Sequence, residues 1–313
     1  MRSLLSAVVG LSAVGCLTVP LAPDPPGAVR FVAPRPLGEA ELSVVPLLIA
    51  HQSSPRCAAA GEASCLKSLR IVYVAYLVRH GSTAFLIDAS LSSRAREDDL
   101  RSMPFTGRIA FDFTVDGSLR DELAAAGVSS PDFVLLTHGH WDHTSGLLDL
   151  PNPRVVLGPG ELEFVRNYPP DGLHAVMARH FQGSRPETFA WDGPAYENFE
   201  KSHDWFGDGS VVLVPLPGHT PGSVGIFLNR VHGRRLFFIG DTAWSMEAVE
   251  LPSQKLKPLS DATDADPLAL SDSLWRVHHL HEREPDLLIV PAHDGAALQA
   301  VIQGNTSSPD VTR

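Results

Sequence analysis

The heptapeptide THGHWDH at residues 137–143 decides how this chain is interpreted. It holds three histidines and one aspartate within six residues: His138, His140, Asp142 and His143. The apolar run DFVLLT at Asp132–Thr137 leads into it and is predicted to be a short strand. Imidazole and carboxylate groups are the ligands that zinc and similar divalent ions bind. We therefore predict a metal site at the end of this strand.

Three later apolar runs each end near one further ligand: His219 in PLPGHTPGS, Asp241 in FFIGDTAW and His293 in LIVPAHDG. The full set divides into a group of three imidazoles, a mixed group and a shared carboxylate. The first group is His138, His140 and His219, the second is Asp142, His143 and His293, and Asp241 lies between them. This division predicts a dinuclear site with room for a bridging hydroxide. Asp142 is the expected proton carrier to the leaving group, and Asp241 the bridging ligand.

Composition and charge limit the function classes. The chain has 313 residues, of which 44% are hydrophobic, so it can bury a sizeable core. Its formal net charge of -11 disfavours contact with a phosphate backbone, and we expect no nucleic-acid partner. A small-molecule substrate is expected instead. The sequence predicts no oligomeric state.

The amino terminus, MRSLLSAVVGLSAVGC at residues 1–16, has the layout of a bacterial export signal. Ala13–Cys16 resembles a lipobox, in which the cysteine is lipidated and becomes the first mature residue. We expect an exported protein that is periplasmic or membrane-anchored through Cys16. Ordinary secretion and an uncleaved or chance apolar start remain as alternatives. The proline-rich residues 17–37 predict an extended linker, and residues 38–313 the folded domain.

Two further cysteines, Cys57 and Cys65, are close in sequence and far from the metal motifs. In an oxidising compartment they can close a small loop through a disulfide. The alternative is a pair of free surface thiols in a cytosolic protein.

The body of the chain alternates predicted strands and helices. Leu69–Val78 and Thr83–Asp88 predict a β-hairpin around Gly81. Further strands are predicted at Arg154–Leu157, Val211–Pro215, Ser223–Leu228, Arg235–Ile239 and Asp286–Val290. Helices are predicted at Ser118–Ala126, Gly160–Asn167 and Ser271–Glu284.

The order of these motifs resembles the metallo-β-lactamase superfamily of metallohydrolases, over roughly Val72 to Ala297. The resemblance implies an α/β (α+β) fold, a single-domain four-layer αβ/βα sandwich with the site at one edge. It implies two zinc ions, or other divalent metals, as cofactors. It also implies that Asp88, which ends the run TAFLID, supports the metal loop without being a primary ligand.

Within the superfamily, the chain resembles the quorum-quenching lactonase-like group in YLVRHGSTAFLIDAS and PGHTPGSV. The resemblance implies N-acyl homoserine lactones or related carboxylic esters as substrates. Asp241 at the bridging position disfavours a β-lactamase, and the negative charge disfavours a nuclease. Some lactonases have a tyrosine three residues after the bridging aspartate, where this chain has Trp244.

Several alternatives stay open from the sequence. The same metal chemistry fits a β-lactam, thioester, sulfate ester or phosphodiester, and a non-catalytic metal-binding lipoprotein is a further possibility. For the substrate pocket we predict three aromatic lining residues: Trp244, Phe181 and Trp205.

Overall fold

The structure is a computed structural model that describes residues 18–24, 31–32, 41–167, 176–230 and 233–306. The predicted export signal with Cys16 lies outside the described residues. Of the predicted linker at residues 17–37, the structure describes residues 18–24 and 31–32. Among the described residues, no helix combines the length and apolar character needed to cross a bilayer.

Seven strands of the described chain form the first sheet. They are β1 (Leu42–Pro55), β2 (Ser68–His80), β3 (Thr83–Ile87), β4 (Thr114–Val115), β5 (Phe133–Leu135), β6 (Arg154–Leu157) and β7 (Arg185–Thr188). Their order is β4-β1-β2-β3-β5-β6-β7, antiparallel from β4 to β3 and parallel from β3 to β7. The predicted hairpin is confirmed as β2 and β3, with Val78 opposite Phe85.

The second sheet has the order β12-β11-β10-β9-β8. Its strands are β8 (His203–Asp204), β9 (Val211–Pro215), β10 (Val224–Leu228), β11 (Leu236–Gly240) and β12 (Leu288–Pro291). Neighbouring strands are antiparallel except β11 and β12, which are parallel. The ends of β11 and β12 therefore lie at the same edge of the sheet.

Helices cover the sheets. They are α1 (Arg56–Ala59), α2 (Ala95–Asp98), α3 (Phe105–Ala110), α4 (Leu119–Ala125), α5 (Trp141–Thr144), α6 (Glu161–Asn167), α7 (Met177–His180), α8 (Met246–Glu250), α9 (Lys257–Thr263), α10 (Pro267–Arg283) and α11 (Gly295–Thr306). Helix α4 begins where the sequence predicts a helix, at Ser118. The Ser118 hydroxyl caps it by accepting a hydrogen bond from the Asp121 amide at 3.1 Å.

Strand β2 shows why the layers form. Ile71–Val78 is buried at every position, and alternate side chains point to opposite faces. Tyr73 and Leu77 pack in the core under the outer helices, whereas Val74 and Val78 pack between the two sheets. A third core lies between the outer face of the second sheet and α10. Helices on both outer faces confirm the predicted four-layer αβ/βα sandwich in a single domain.

The described parts of the predicted linker lie against the domain and not away from it. Thr18 forms a β-bridge with Leu256, and the Trp275 indole donates a hydrogen bond to the Ala22 carbonyl at 2.8 Å. Leu21 and Phe31 pack against the core beneath α10. The described linker residues run along the domain surface with isolated β-bridges and no strand, and their apolar side chains gain burial there.

Cys57 and Cys65 form a disulfide in the structure, with their Cα atoms 4.9 Å apart. The bond closes the loop that starts at α1. Arg56, beside this loop, donates a hydrogen bond to the Glu247 carboxylate on α8 at 2.7 Å.

Candidate metal centre

The first four predicted ligands leave the end of β5 together. His138 and His140 lie on the loop after the strand, and Asp142 and His143 lie on α5. All four are buried. Gly139 is required between the two histidines, because a Cβ atom there would lie 2.4 Å from the Val165 side chain. The loop packs this closely because the Gly139 amide donates to the carboxylate of Glu161, on α6, at 2.6 Å.

The other three ligands come from the second sheet. His219 lies in the connection between β9 and β10, Asp241 follows β11, and His293 follows β12. Gly218 allows His219 to approach α10, because its φ is +131° and a Cβ atom would lie 2.1 Å from the Leu270 nitrogen. Glu161 links the two sheets here, since it also accepts a hydrogen bond from the Gly222 amide at 2.9 Å.

The structure brings all the predicted ligands together. Three groups have ligand atoms within 4.8 Å of one another: His138, His140 and His219; His138, His143 and Asp241; and Asp142, His143 and His293. We call the first the triple-histidine group and the third the mixed group. Asp241 faces both, because its Oδ2 lies 3.3 Å from His219 Nε2 and its Oδ1 lies 3.2 Å from His293 Nε2.

The donor set fits metal ions. Three buried polar atoms at the centre have no hydrogen-bond partner among the described residues: His143 Nε2, His293 Nε2 and Asp241 Oδ1. Buried polar atoms without partners carry a desolvation cost, which a bound cation removes. Imidazole and carboxylate donors suit zinc and related ions.

The outer nitrogens of the ligands are held by other groups, as is usual for metal-binding histidines. Asp88 Oδ2 lies 2.8 Å from His143 Nδ1, and its Oδ1 accepts a hydrogen bond from the Thr137 amide at 2.7 Å. The backbone of Asp88 is left-handed, with a φ of 57°, which aspartate tolerates better than most residues. Asp88 therefore lies where the sequence predicted a supporting residue. His293 Nδ1 donates to the Val72 carbonyl at 3.0 Å.

His219 is held by residues that sequence reasoning missed. Asp264 Oδ1 lies 2.7 Å from His219 Nδ1 and 2.9 Å from the Lys255 ammonium. Burial opposes ionisation of Asp264, but the Lys255 charge and the His219 ring outweigh it and lower the pKa of Asp264 to about 2. Neither residue stands in a recognisable motif, so no sequence signal marked them.

The buried histidines have opposite pKa shifts. Burial lowers the pKa of His138 well below its usual value, and the charges of His143 and His219 lower it further. His138 is therefore neutral and ready to bind metal. Burial also disfavours the charged form of His143, but Asp88 and Asp241 outweigh it and raise the pKa of His143 well above its usual value. A metal ion at His143 therefore competes with a proton for the same nitrogen.

A cavity of about 260 Å³ opens beside the mixed group. Its walls include Gln52, Tyr73, Ile109, Phe111, Asp142 and Trp244. The Tyr73 hydroxyl donates to Gln52 Oε1 at 3.1 Å, and burial, then the charges of Asp142 and Asp241, raise the pKa of Tyr73 well above its usual value. The cavity therefore combines a neutral phenol, an amide and an apolar wall next to the metal ligands.

Of the three aromatic residues predicted for the pocket, the structure places Trp244 alone in this wall. Its Nε1 donates a hydrogen bond to Asp241 Oδ2 at 2.6 Å. Phe181 instead packs against the core under the outer helices. Trp205 contacts Phe133, with ring centroids 5.1 Å apart, at the beginning of β5. Because the metal ligands follow the end of that strand, Trp205 lies at the wrong end to line the cavity.

A comparison with family models matches residues 71–293 to the metallo-β-lactamase superfamily. The chain belongs to the metallo-β-lactamase superfamily. The matched region contains the complete ligand set and both sheets' site-bearing loops. The resemblance inferred from the motifs is thus confirmed, and the superfamily is one of metal-dependent hydrolases.

Two curated relatives share part of the chain. A protein of Mycobacterium tuberculosis named probable metallo-hydrolase is 30% identical over 173 residues, which is 51% of this chain and 54% of the relative. The N-acyl homoserine lactonase AttM of Agrobacterium fabrum is 23% identical over 190 residues, 56% of this chain and 63% of the relative. The chain therefore spans between half and two thirds of the length of the curated relatives it matches.

Solved structures share the fold. An N-acyl homoserine lactone hydrolase with N-hexanoyl-L-homoserine at its catalytic metal centre superposes with a TM-score of 0.60 and 15% identity, covering 85% of this chain and 97% of that one. AidC, a dizinc quorum-quenching lactonase, superposes with a TM-score of 0.57 and 16% identity, covering 83% and 90%. At these identities the similarity establishes the architecture.

Proposed function

We propose that this chain is an exported dinuclear zinc hydrolase that opens lactones of the N-acyl homoserine type or cleaves related carboxylic esters. The observation that carries the proposal is Asp241, whose two oxygens face the two ligand groups. Asp142 and His293 of the mixed group line a cavity of mixed polarity. The lactonases among the relatives and structural neighbours support this substrate class.

In this proposal each ion has its own ligand group. The triple-histidine group would hold one ion, the mixed group the other, and Asp241 both. Two zinc ions, when bound, supply Lewis acidity toward the substrate oxygen and lower the pKa of water enough to give a nucleophile near neutral pH. The remaining tasks fall to the protein.

Asp142 is placed for proton transfer. It is the carboxylate of the mixed group, and it also lines the cavity. A carboxylate in this position can accept a proton and deliver it to the oxygen that leaves when the ester bond breaks. Its Oδ2 lies 3.3 Å from His293 Nε2, which keeps the side chain directed toward the centre.

The cavity walls suit a substrate with one polar end. Gln52 donates one amide N–H to the Ala110 carbonyl at 3.0 Å, and its second N–H can donate to a substrate carbonyl. The Tyr73 oxygen, whose O–H is bonded to Gln52, can accept from a substrate amide, while Ile109 and Phe111 offer an apolar surface to an acyl chain. Trp244 is not the counterpart of a substrate-binding tyrosine, because its single N–H group is bonded to Asp241. Trp244 instead orients the shared carboxylate and contributes a ring face to the wall.

The test is proton release from a medium-chain N-acyl homoserine lactone in weak buffer, with the zinc-loaded full chain and again after chelation. Chelator-sensitive acid production is the expected result. Protein shown to hold about two zinc ions that releases no acid above the blank would contradict the lactonase proposal. Simple ester, β-lactam, thioester, sulfate ester and phosphodiester panels then identify the bond that is cleaved.

The cell location is tested separately. We propose that Cys16 is lipidated after export, and the disulfide of Cys57 and Cys65 supports an oxidising compartment. In a bacterial host, the full chain should incorporate labelled palmitate and sediment with membranes. The Cys16→Ala variant should do neither. Equal labelling of both forms, or recovery of the unvaried chain from the cytosol, would contradict the proposal.

A further inference from the structure

Lys255 is a buried lysine next to the metal centre. Its side chain is 2% exposed, although lysine is almost never fully buried without a partner. Its ammonium lies 2.9 Å from Asp264 Oδ1 and 3.4 Å from the backbone carbonyl of Asp241. It also lies 5.2 Å from the ring centroid of Trp244, within cation–π distance.

Each of these contacts leads to a metal ligand. Asp264 holds His219 through Nδ1 at 2.7 Å, and Trp244 donates to Asp241 Oδ2 at 2.6 Å. The carbonyl of Asp241 belongs to the shared ligand itself. One ammonium group therefore contacts Asp264, Trp244 and the Asp241 carbonyl, and each of these orients His219 or Asp241. The Nε2 of His219 and the Oδ2 of Asp241 lie 3.3 Å apart.

We propose that Lys255 is a positioning residue that fixes His219 and Asp241 in the geometry required by the ion of the triple-histidine group. The proposal rests on the two-ion centre of the proposed function and not on the choice of substrate. It adds to the site a charged residue that binds neither ion nor substrate and acts through the ligands.

Charge and positioning predict opposite effects, which makes the proposal testable. A positive charge near a cation site repels the cation, so removing the charge alone should tighten metal binding. Losing the contacts with Asp264, Trp244 and the Asp241 carbonyl should weaken it. Outer partners of metal ligands typically change affinity by about 10- to 100-fold, and we expect a loss of that size.

The experiment compares zinc affinities of the unvaried chain and Lys255→Met, measured stepwise by competition with a chelator. Methionine retains the apolar stem and removes the ammonium. We expect one of the two stepwise affinities to fall by about 10- to 100-fold and the other to change little. The absorption bands of the cobalt-loaded protein should change for the same ion.

A matched control separates positioning from general destabilisation. Arg235 forms a comparable ion pair with buried Glu197 at 2.6 Å, away from the metal ligands. Arg235→Met should lower the midpoint of thermal unfolding while both zinc affinities stay unchanged. Where Lys255→Met does not fold, the double variant Lys255→Met with Asp264→Asn removes the uncompensated buried charge and is expected to show the same loss.

Unchanged or tighter zinc binding in Lys255→Met would overturn the proposal, as would an equal loss in Arg235→Met. A chain that binds zinc normally but hydrolyses no lactone leaves this inference intact and contradicts the proposed substrate. The two proposals can therefore fail separately.

Discussion

His143 and His219 perform the same task in the two ligand groups, but their supports differ. Each has its outer nitrogen held by a buried carboxylate, Asp88 at 2.8 Å and Asp264 at 2.7 Å. Asp88 is stabilised by neutral donors of Thr137, at the ends of the paired strands β3 and β5. Asp264 is stabilised by the Lys255 ammonium, and the two residues lie in the loops at either end of α9.

The difference shows that the mixed group depends on the first sheet, whereas the triple-histidine group depends on the layer outside the second sheet. The ends of the paired strands β3 and β5 are held by backbone hydrogen bonds. We therefore expect the support of His143 to be more rigid than that of His219. The support of His219 depends on a loop that Gln254 ties to Ser271 at 2.7 Å and that Thr18 covers through Leu256. We therefore expect the triple-histidine group to be the more easily disturbed.

The largest effect is expected from removing a ligand. His219→Ala and His143→Ala should each reduce the zinc content from about two ions to about one per chain, because catalytic zinc needs three protein ligands. Hydrolysis should fall by more than the 10- to 100-fold typical of an outer partner. Metal analysis and initial rates provide the measurement. His80→Ala, which disturbs a pair with Asp208 away from the centre, should retain both ions.

A smaller effect separates the two supports. Asp264→Asn leaves the Lys255 charge buried without a counter-charge, which costs about 3 to 5 kcal/mol. Asp88→Asn keeps an acceptor for the neutral Thr137 donors, and His143 retains Asp241 as a counter-charge 3.3 Å away, so the variant should cost about 1 to 3 kcal/mol. Urea unfolding of the metal-free variants measures both free energies. Equal costs, or a larger cost at Asp88, would show that the two supports do not differ as described.

The smallest effect concerns the amino-terminal segment. A chain that begins at Thr18 should match the full chain in stability and zinc affinity. A chain that begins at Glu41 lacks the contacts of Thr18, Leu21 and Ala22 and should lose about 1 to 3 kcal/mol of unfolding free energy. Its zinc affinity should fall at one site only. Calorimetry measures the stability and chelator competition the zinc affinities. An equal loss of zinc affinity at both sites would contradict the dependence of the triple-histidine group on the layer outside the second sheet.

The sequence predicted the ligands well because each follows an apolar strand, where backbone pattern and chemistry coincide. It did not predict Lys255 or Asp264, since a buried ion pair between two loop residues leaves no periodic signal. No strand was predicted over Leu42–Pro55, where the structure has β1. Among the described residues, β4 pairs with β1 at Ala50 and His51, and β1 has β2 as its partner at Pro46. A proline is tolerated in a strand with a partner on one side.

The aromatic residues show a second limit of sequence reasoning. Trp205 and Phe181 were predicted to line the pocket because they lie in an aromatic stretch between the metal motifs. Closeness in sequence, however, does not determine whether a side chain lies at the beginning or at the end of a strand. The actual wall uses Tyr73 and Gln52 from strands before the metal motif. Their inward direction follows from the pairing of β1 with β2, which the sequence did not reveal.

The central claim is a centre of two metal ions that share Asp241 as a ligand. It is tested most directly by anomalous diffraction from crystals of the zinc-loaded chain. Two peaks are predicted, one among His138, His140 and His219 and one among Asp142, His143 and His293, with Asp241 contacting both. A single peak, or zinc bound away from these residues, would contradict the account.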